Sequence, residues 1–554
     1  MRARRRGDYG GGDVKVHLVW METSATQPYI FGTNKRRENV GASQLVWQVG
    51  EWARSAVGAH GPIESAPAEL VVSTSGRVEA LLRDEEAARA VISEVTRRAL
   101  REAAGLDLCG VISAPFEWSE PGEMAAASAA ARRQINFVRS SRPGPGLRFL
   151  RLPIVAECRT SGLPASGEWT DGAGDSAETL PRSQPSLAKL VAAGSAGFRR
   201  LAHQSSTTAR AMRLAVEYLE NDADWVAVVH ADGNGLGDLL RNLASRYTSQ
   251  PNRAYADALR SFSRALDRCT EQAFREALAT VPDRHAGGTA FKPVLPLVLG
   301  GDDLTAVCDG GSAIELTRQF LSSFERLTGA EPALNAYAGE AQRLTAAAGV
   351  SLVRRHFPFS AAYDLAEELS IEAKQAKERL LSSATGAPVP MSALAFHVLY
   401  DSTATSWGTI RGRLTVEDAI ASGQPYVVTT GDRADHLAPE SAEWLERHDL
   451  GRLLDHELAL KETAPDADGR ERRVLPTRPM HDLRSALHLG RLAADNQFRD
   501  LLARPWGATL RRLGVADAGG SPSLYYDEPT DDLGSDSVRW RTSLLDAMQL
   551  AGLG

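Results

Sequence analysis

The residues best suited to do chemistry are three aspartates. Asp232 closes the nearly continuous apolar run DWVAVVHA and is followed by Gly233, Asn234, Gly235, Leu236 and Gly237; Asp302 and Asp303 sit in Gly-Gly-Asp-Asp at 300 to 303, between the apolar runs Phe291 to Leu299 and Leu304 to Cys308. An apolar run of this length reads as a buried strand, and two such runs joined at a Gly/Asp tip read as a hairpin. Neighbouring strands of one sheet would then bring the three carboxylates to one edge. Carboxylates about 4 Å apart repel by roughly 4 kcal/mol per pair at an effective dielectric near 20. A divalent cation removes that repulsion, and hard oxygen ligands suit Mg²⁺ or Mn²⁺. We therefore take Asp232, Asp302 and Asp303, with the backbone carbonyl of Ala231, as candidate ligands of a two-metal site. Such a site activates an attacking hydroxyl and neutralises a leaving pyrophosphate, the chemistry of nucleotidyl transfer.

The surroundings of the aspartates suit a phosphate ligand. Gly233, Gly235 and Gly237 allow the backbone to approach an anion at what should be a helix start, Asn234 offers an amide donor, and Gly300 and Gly301 leave space for a nucleotide above the sheet. Lys374 and Lys377, in SIEAKQAKERL, are candidate triphosphate contacts, although lysines at this spacing also form ordinary solvated helix faces. Taken singly, GGDD is also a common polar turn and DGNGLG a weak glycine-rich motif. Their joint occurrence after strands carries the reading.

The elements that must position these residues repeat. Val14 to Met21 reads as a strand, Val40 to Val57 as a helix, Glu69 to Leu82 as a hairpin with a Ser75-Gly76 tip, and Asp84 to Ala104 as a helix, the order of a ferredoxin-like unit. The same order recurs later: the strand before Asp232, a helix at Arg253 to Thr280, the GGDD hairpin, a helix at Ile314 to Leu327, a strand at Ala346 to Val353, a helix at Ser360 to Leu381 and a strand at Leu394 to Leu399. The expected fold is α+β, with antiparallel sheets covered by helices. Residues 1–155 form the first unit, 156–215 a linker and helical region, 216–400 the second unit and 401–554 a mostly helical C-terminal region. Gly/Ser/Pro-rich Ser161 to Pro185, RPGPG at 142 to 146, and the polar runs 462–480 and 517–537 read as exposed connections.

Composition excludes several classes. With 554 residues, 43% hydrophobic and 24% charged, the chain is long enough for several cores, and its net charge of −7 gives no overall basic footprint for duplex DNA. The basic start MRARRRGDYGGG lacks the apolar stretch of a signal peptide, and no run is long enough to span a bilayer, so a cytoplasmic protein without a membrane partner is expected. Four dispersed cysteines, Cys109, Cys158, Cys269 and Cys308, support no disulfide framework.

At VVHADGNGLGDLL, LVLGGDDLTAV and AGVSLVRRHFPFSAAYDLAEELSIEAKQAK, followed by Phe396-His397-Val398-Leu399, the sequence resembles the palm domains of the large polymerase-like subunit of type III CRISPR effectors, which are related to GGDEF nucleotide cyclases. SATQPYIFGTNKRRENVGASQLV is similar to that family's first palm, and the resemblance extends over some 400 residues of the 554. It implies two palms, of which the second is catalytic and the first, with Ser75-Gly76-Arg77 in place of an acidic pair, helps hold a second nucleotide. It further implies a nucleoside triphosphate substrate, ATP first, and a cyclic oligonucleotide product in prokaryotic antiviral defence. Guide RNA and other CRISPR-type subunits, or a homodimer, are the implied partners. Two family features are not expected. About 13 residues before the first strand leave no room for an N-terminal HD nuclease, while the dipeptides His448-Asp449 and His481-Asp482 read as solvated helix residues. CRTSGLPA keeps Cys158 but has Ser161 where a second cysteine would complete a zinc element, so no structural zinc is expected. The same aspartates would equally serve a polymerase making a linear product, and a palm retained only to bind nucleotide within a scaffold is the remaining alternative.

Overall fold

The computed structural model describes residues 14–60, 68–74, 76–171, 178–338, 343–400, 403, 405–428, 431–465, 470–516, 520–529 and 538–553. The basic N-terminal run, Ser75 and parts of three expected connections (172–177, 466–469, and 517–519 with 530–537) lie outside them.

The first unit contains β1 (Lys15–Ser24), α1 (Arg36–Gly58), β2 (Glu69–Thr74), β3 (Arg77–Leu82), α2 (Glu85–Glu102), β4 (Asp107–Ile112) and α3 (Glu123–Ser141). Its strands pair antiparallel in the order β2-β3-β1-β4, the ferredoxin-like arrangement. Local chemistry fixes the ends of these elements. The Asp84 carboxylate accepts from the Ala87 amide at 2.7 Å and starts α2. At the β2–β3 tip Gly76 has φ +81°, and a Cβ there would meet Thr23 Oγ1 at 2.1 Å, so the turn requires glycine.

The second unit repeats the plan. After α4 (Ala209–Asn221) come β5 (Trp225–Gly233), α5 (Leu236–Arg246), α6 (Asn252–Thr280), β6 (Val294–Gly300), β7 (Asp303–Asp309), α7 (Ala313–Ala330), β8 (Ala346–Arg354), α8 (Phe359–Lys374) and β9 (Ala393–Val398). The sheet order is β6-β7-β5-β8-β9, extended by the short β10 (Tyr426–Val427). Strand β9 runs parallel to β8, whereas the other pairs are antiparallel. Residues Trp225 to Ala231 are all buried, which explains why β5 shows no apolar/polar alternation. Expected helix Ser360 to Leu381 is shorter than its pattern: α8 ends at Lys374, and a separate turn spans Ala376–Arg379.

The two units are fastened at points that bear on the aspartates. Asn252, at the start of α6, accepts from the Met124 amide at 2.9 Å and donates to the carbonyls of Trp118 at 3.0 Å and Glu120 at 2.8 Å. Arg253 and Arg260 of α6 both reach Glu69 of β2, at 2.6 and 3.0 Å. Phe31 stacks on Tyr363 of α8 with centroids 4.3 Å apart.

Several expected connections are more structured than their composition suggests. Within Ser161 to Pro185, strands Ala165–Asp171 and Glu178–Ser183 pair antiparallel. The run 517–537 is not simply exposed, because Leu524 and Tyr525 are buried and Ser523 donates to the Asp495 carboxylate at 3.0 Å. The C-terminal region is mostly helical as expected, but also holds a small sheet of Thr415–Val416, Ala419–Ile420, Val538–Arg541 and Tyr526–Pro529. His448 is not solvated: it is buried, stacks on Trp444 at 4.0 Å, and pairs its Nδ1 with the Pro425 carbonyl at 2.8 Å. Asp449 caps the helix Leu450–Lys461, and His481 and Asp482 are exposed on their helix.

At Gly349, β8 and α8 are in close backbone contact: a Cβ there would lie 1.9 Å from the Ala366 carbonyl oxygen and 2.5 Å from the Ser370 amide. Gly349→Ala is expected to destabilise the protein by at least about 2 kcal/mol, because backbone on both sides must move. Urea denaturation of the variant beside the parent checks this.

Candidate active site

The aspartates converge because two strand ends meet. Leu304 of β7 pairs with Ala231 of β5, and Ala347 of β8 pairs with Asp232, so Asp232 and the Asp302-Asp303 turn share one edge of the sheet. One carboxylate oxygen from each of Asp232, Asp302 and Asp303 lies within 4.8 Å of the others, and no other group of three such ligands occurs among the described residues. Cys158 is buried and its Sγ lies 3.4 Å from Thr160 Oγ1.

Glycine is what allows the approach. A Cβ at Gly233 would fall 2.6 Å from a carboxylate oxygen of Asp302. Gly235 and Gly301 adopt φ values of +74° and +63°, which turn the chain into α5 and around the hairpin tip. Gly300 ends β6 opposite Asp303, and Gly237 lies in the first turn of α5. The α5 N-terminus, with its free amides, therefore begins four residues after Asp232. Asn234 reaches the turn, but its amide Nδ2 donates to Thr345 Oγ1 at 3.0 Å and its backbone amide to the Thr345 carbonyl at 2.8 Å. It fastens the turn to the chain entering β8. Ala231 is buried between Leu304 and Ala348.

Charge in the site is balanced by one lysine and by protons. The Lys374 ammonium forms a close ion pair with Asp232, whereas Lys377 is exposed on the separate turn beyond α8. The two lysines thus do not act as a pair on one helix. Burial, reinforced by the charge of Asp232, pushes the Asp302 carboxyl up to about 7. Burial followed by repulsion from Asp302 and Asp232 raises Asp303 well above its ordinary range. Three hard oxygen donors, with Asp302 and Asp303 pushed toward their protonated form and Asp232 paired with a lysine, fit a divalent cation, which would replace those protons and the lysine.

Sequence reasoning missed the residues that hold the GGDD turn. The Asp267 carboxylate accepts from the Gly301 amide at 2.5 Å, and Thr270 Oγ1 donates to the Gly301 carbonyl at 2.6 Å. Both lie on α6 beside the apolar stripe of Phe262, Leu266 and Cys269, and polar residues flanking a buried stripe were the available signal. Burial raises Asp267 to about 6. His230, two strand positions before Asp232, lies 3.1 Å from Thr305 Oγ1, and burial lowers it to about 4, so it is neutral.

A cavity of about 210 Å³ opens beside the turn, between Gly300, Gly301, Asp302 and Asp303 of the second unit and Val72, Thr74 and Arg77 of the first. Leu236 and Phe262 form part of its apolar wall. Arg77, expected only as part of a tip without an acidic pair, is held by an ion pair to the fully buried Glu79 and lies 4.2 Å over the Trp20 ring.

Residues 225–380 match the family described as Cas10/Cmr2, second palm domain, a segment that contains all three aspartates and Lys374. No curated protein matches the chain. Among solved structures, a Csm1–Csm4 cassette in complex with cA4 aligns with a TM-score of 0.39 and 15% identity, over 66% of this chain and 53% of that one. A Csm1–Csm4 cassette in complex with pppApA gives a TM-score of 0.41 and 14% identity, over 66% and 54%. The Csm1–Csm4 subcomplex of the type III-A CRISPR–Csm interference complex gives 0.40 and 15%, over 66% and 54%. This chain therefore spans about half the length of the chains it aligns with. The resemblance read from the sequence motifs is supported for the second unit by the family match.

The protonated state of the site has a signed consequence. Folded-state values for Asp302 and Asp303 lie above those of an unfolded aspartate, so their contribution to stability is full below about pH 4 and is lost as pH rises, for Asp302 through about 7. In chelator, Asp302→Asn/Asp303→Asn is expected to melt above the parent at pH 8, by a few degrees, and to converge with it near pH 5. In the parent, Mn²⁺ should raise the melting temperature more at pH 8 than at pH 6, while the double variant should show no such rise. Lys374→Met should tighten nucleotide-free Mn²⁺ binding, measured by calorimetry, because it removes the competing ammonium.

Proposed function

We propose that this chain is a metal-dependent nucleotidyltransferase that joins nucleoside triphosphates, ATP first, into a cyclic oligonucleotide messenger within a type III CRISPR-like antiviral system. The observation that carries the reading is the convergence of Asp232, Asp302 and Asp303 at a sheet edge, inside a segment similar to a Cas10/Cmr2 second palm. Asp232, Asp302 and Asp303 would hold one or two Mg²⁺ or Mn²⁺ ions. Bound there, the metal lowers the pKa of an attacking ribose hydroxyl and neutralises charge on the departing pyrophosphate.

The remaining residues bind and orient. The Gly233 to Gly235 turn and the α5 N-terminus offer backbone amides to a triphosphate, and Lys374, once displaced from Asp232, is within one side chain of the same anion. The cavity roofed by the first unit's hairpin takes part of a nucleotide between apolar walls, with Arg77 as a fixed cation at its margin. The first unit contributes no acidic pair at its own tip, so a single centre carries the chemistry and the first unit serves to position substrate. Association with guide RNA and other CRISPR-type subunits, or with a second copy, would supply the activating signal.

Incubation with each labelled nucleoside triphosphate and Mg²⁺ or Mn²⁺, with products resolved by mass, tests the reading. A cyclic product from ATP is expected, and Asp302→Ala/Asp303→Ala should lower its formation at least about a thousandfold, on the scale of losing a main electrostatic stabiliser. A linear product would replace cyclisation by polymerisation. Product formation undiminished in the double variant would remove the aspartates from the mechanism. Lys374→Ala should raise KM for the triphosphate about tenfold or more, opposite in sign to its effect on free metal.

A further inference from the structure

The register of the second sheet separates its two edges. Ala393 of β9 pairs with Ala347, which pairs with Asp232, so β9 begins at the aspartate edge and ends, past His397 and Val398, at the opposite one. There a cavity of about 310 Å³ lies between the end of β9 and the C-terminal helices Trp407–Leu414, Thr477–Leu487 and Leu544–Ala551. It takes no part in the chemistry described above.

Its chemistry is one-sided. Arg413 and Arg484, from two different helices, line it together with His397, His488, Tyr400 and Gln549, and no carboxylate is among the lining residues. Arg484 lies 5.3 Å over the Tyr400 ring, whose edge in turn meets Trp225 at 5.5 Å. Arg413 is oriented by a hydrogen bond to Thr403 Oγ1 at 3.0 Å. Two buried polar groups also line the cavity without partners: Nδ1 of His397, a residue only 8% exposed, and Oε1 of Gln549, only 5% exposed. Buried polar atoms are almost always paired, so a pair of orphans in one cavity asks for a ligand. The remaining wall, Leu399, Ile410, Leu414 and Leu545, is apolar.

Two guanidinium groups with no carboxylate in their cavity call for an anion with at least two acceptor oxygens. An orphan acceptor and an orphan imidazole nitrogen in one cavity call for a hydroxyl-bearing body, and the apolar wall calls for an uncharged ring. The volume lies at the small end of small-molecule sites. We propose that this cavity is a second binding site, distinct from the aspartate edge, for a nucleoside phosphate of mononucleotide size, its phosphate on Arg413 and Arg484 and its sugar against His397 and Gln549.

Titration calorimetry with AMP in chelator, on the full chain carrying Asp302→Asn/Asp303→Asn, tests the site apart from metal-dependent binding at the aspartates. One saturable equivalent is expected, with adenosine at least tenfold weaker and inorganic phosphate competing. Arg413→Ala and Arg484→Gln should each weaken AMP at least tenfold. The exposed position of Arg413 keeps that variant foldable, and its unchanged thermal melt is the control. Absence of saturable AMP binding, binding undiminished in both arginine variants, or failure of phosphate to compete would each overturn the proposal.

Discussion

Repulsion among three carboxylates is the constraint around which the second unit is built. Oxygens of Asp232, Asp302 and Asp303 within 4.8 Å of one another cannot all be ionised without compensation. Left alone, such a cluster would push the β7 turn away from the end of β5. The fold opposes that displacement from behind: Asp267 and Thr270 of α6 clamp both backbone polar groups of Gly301, and the β5–β7 ladder fixes the turn's height above the sheet. From in front it supplies Lys374 and the proton-holding tendency of Asp302 and Asp303. Rigid support behind a site with exchangeable compensation in front is the arrangement that a cation can enter without refolding anything.

The same two helices that support the aspartates also tie the units together. Helix α6 carries Asp267 and Thr270 in its middle and Asn252, Arg253 and Arg260 near its start, where they hold the first unit's loop and β2. Helix α8 carries Lys374 at its end and Tyr363 near its start, stacked on Phe31 of the first unit. The first unit's hairpin is thereby held over the GGDD cavity by contacts that do not involve the aspartates.

Much of this plan was legible because it rests on local patterns. Strand runs such as Trp225 to Val229, the stripe along α6, and a hairpin with Gly-Gly-Asp-Asp at its tip each carry a period or a turn chemistry that a sequence displays. The short strand β4 and the C-terminal sheet carried no such signal: their pairing is set by distant partners, and two-residue strands have no period. His448 was misread for a related reason. A histidine beside an aspartate in polar surroundings looks solvated until Trp444, Pro425 and Glu528 arrive from three separate elements to bury it. The break after Lys374 was likewise hidden, since Ala376 to Arg379 is itself helical and only the turn at Gln375 separates the two lysines. Arg77 reads in the sequence only as part of a tip without an acidic pair, because its place in the cavity depends on residues of the other unit.

Two units of one topology have diverged at the same place. In the second, the hairpin tip carries Asp302 and Asp303 facing Asp232. In the first, the residue after the tip is Arg77, and the position paired with Trp20 of β1 is Glu79, wholly buried and neutralised by that arginine. A buried ion pair of this kind adds little to stability against an apolar pair of similar volume, but removing either partner leaves a charge stranded. Glu79 also accepts from Ser128 of α3 at 3.2 Å, so the pair is locked to a helix as well as to the sheet. The first unit therefore holds a guanidinium rigidly in an ion pair where the second gathers three carboxyl groups suited to a cation, and the cavity between them has Arg77 on one side and Asp302 and Asp303 on the other. Under the proposed function, a triphosphate entering with its metal would meet the aspartates on one side and Arg77 on the other. That asymmetry, rather than the shared topology, gives the cleft a direction.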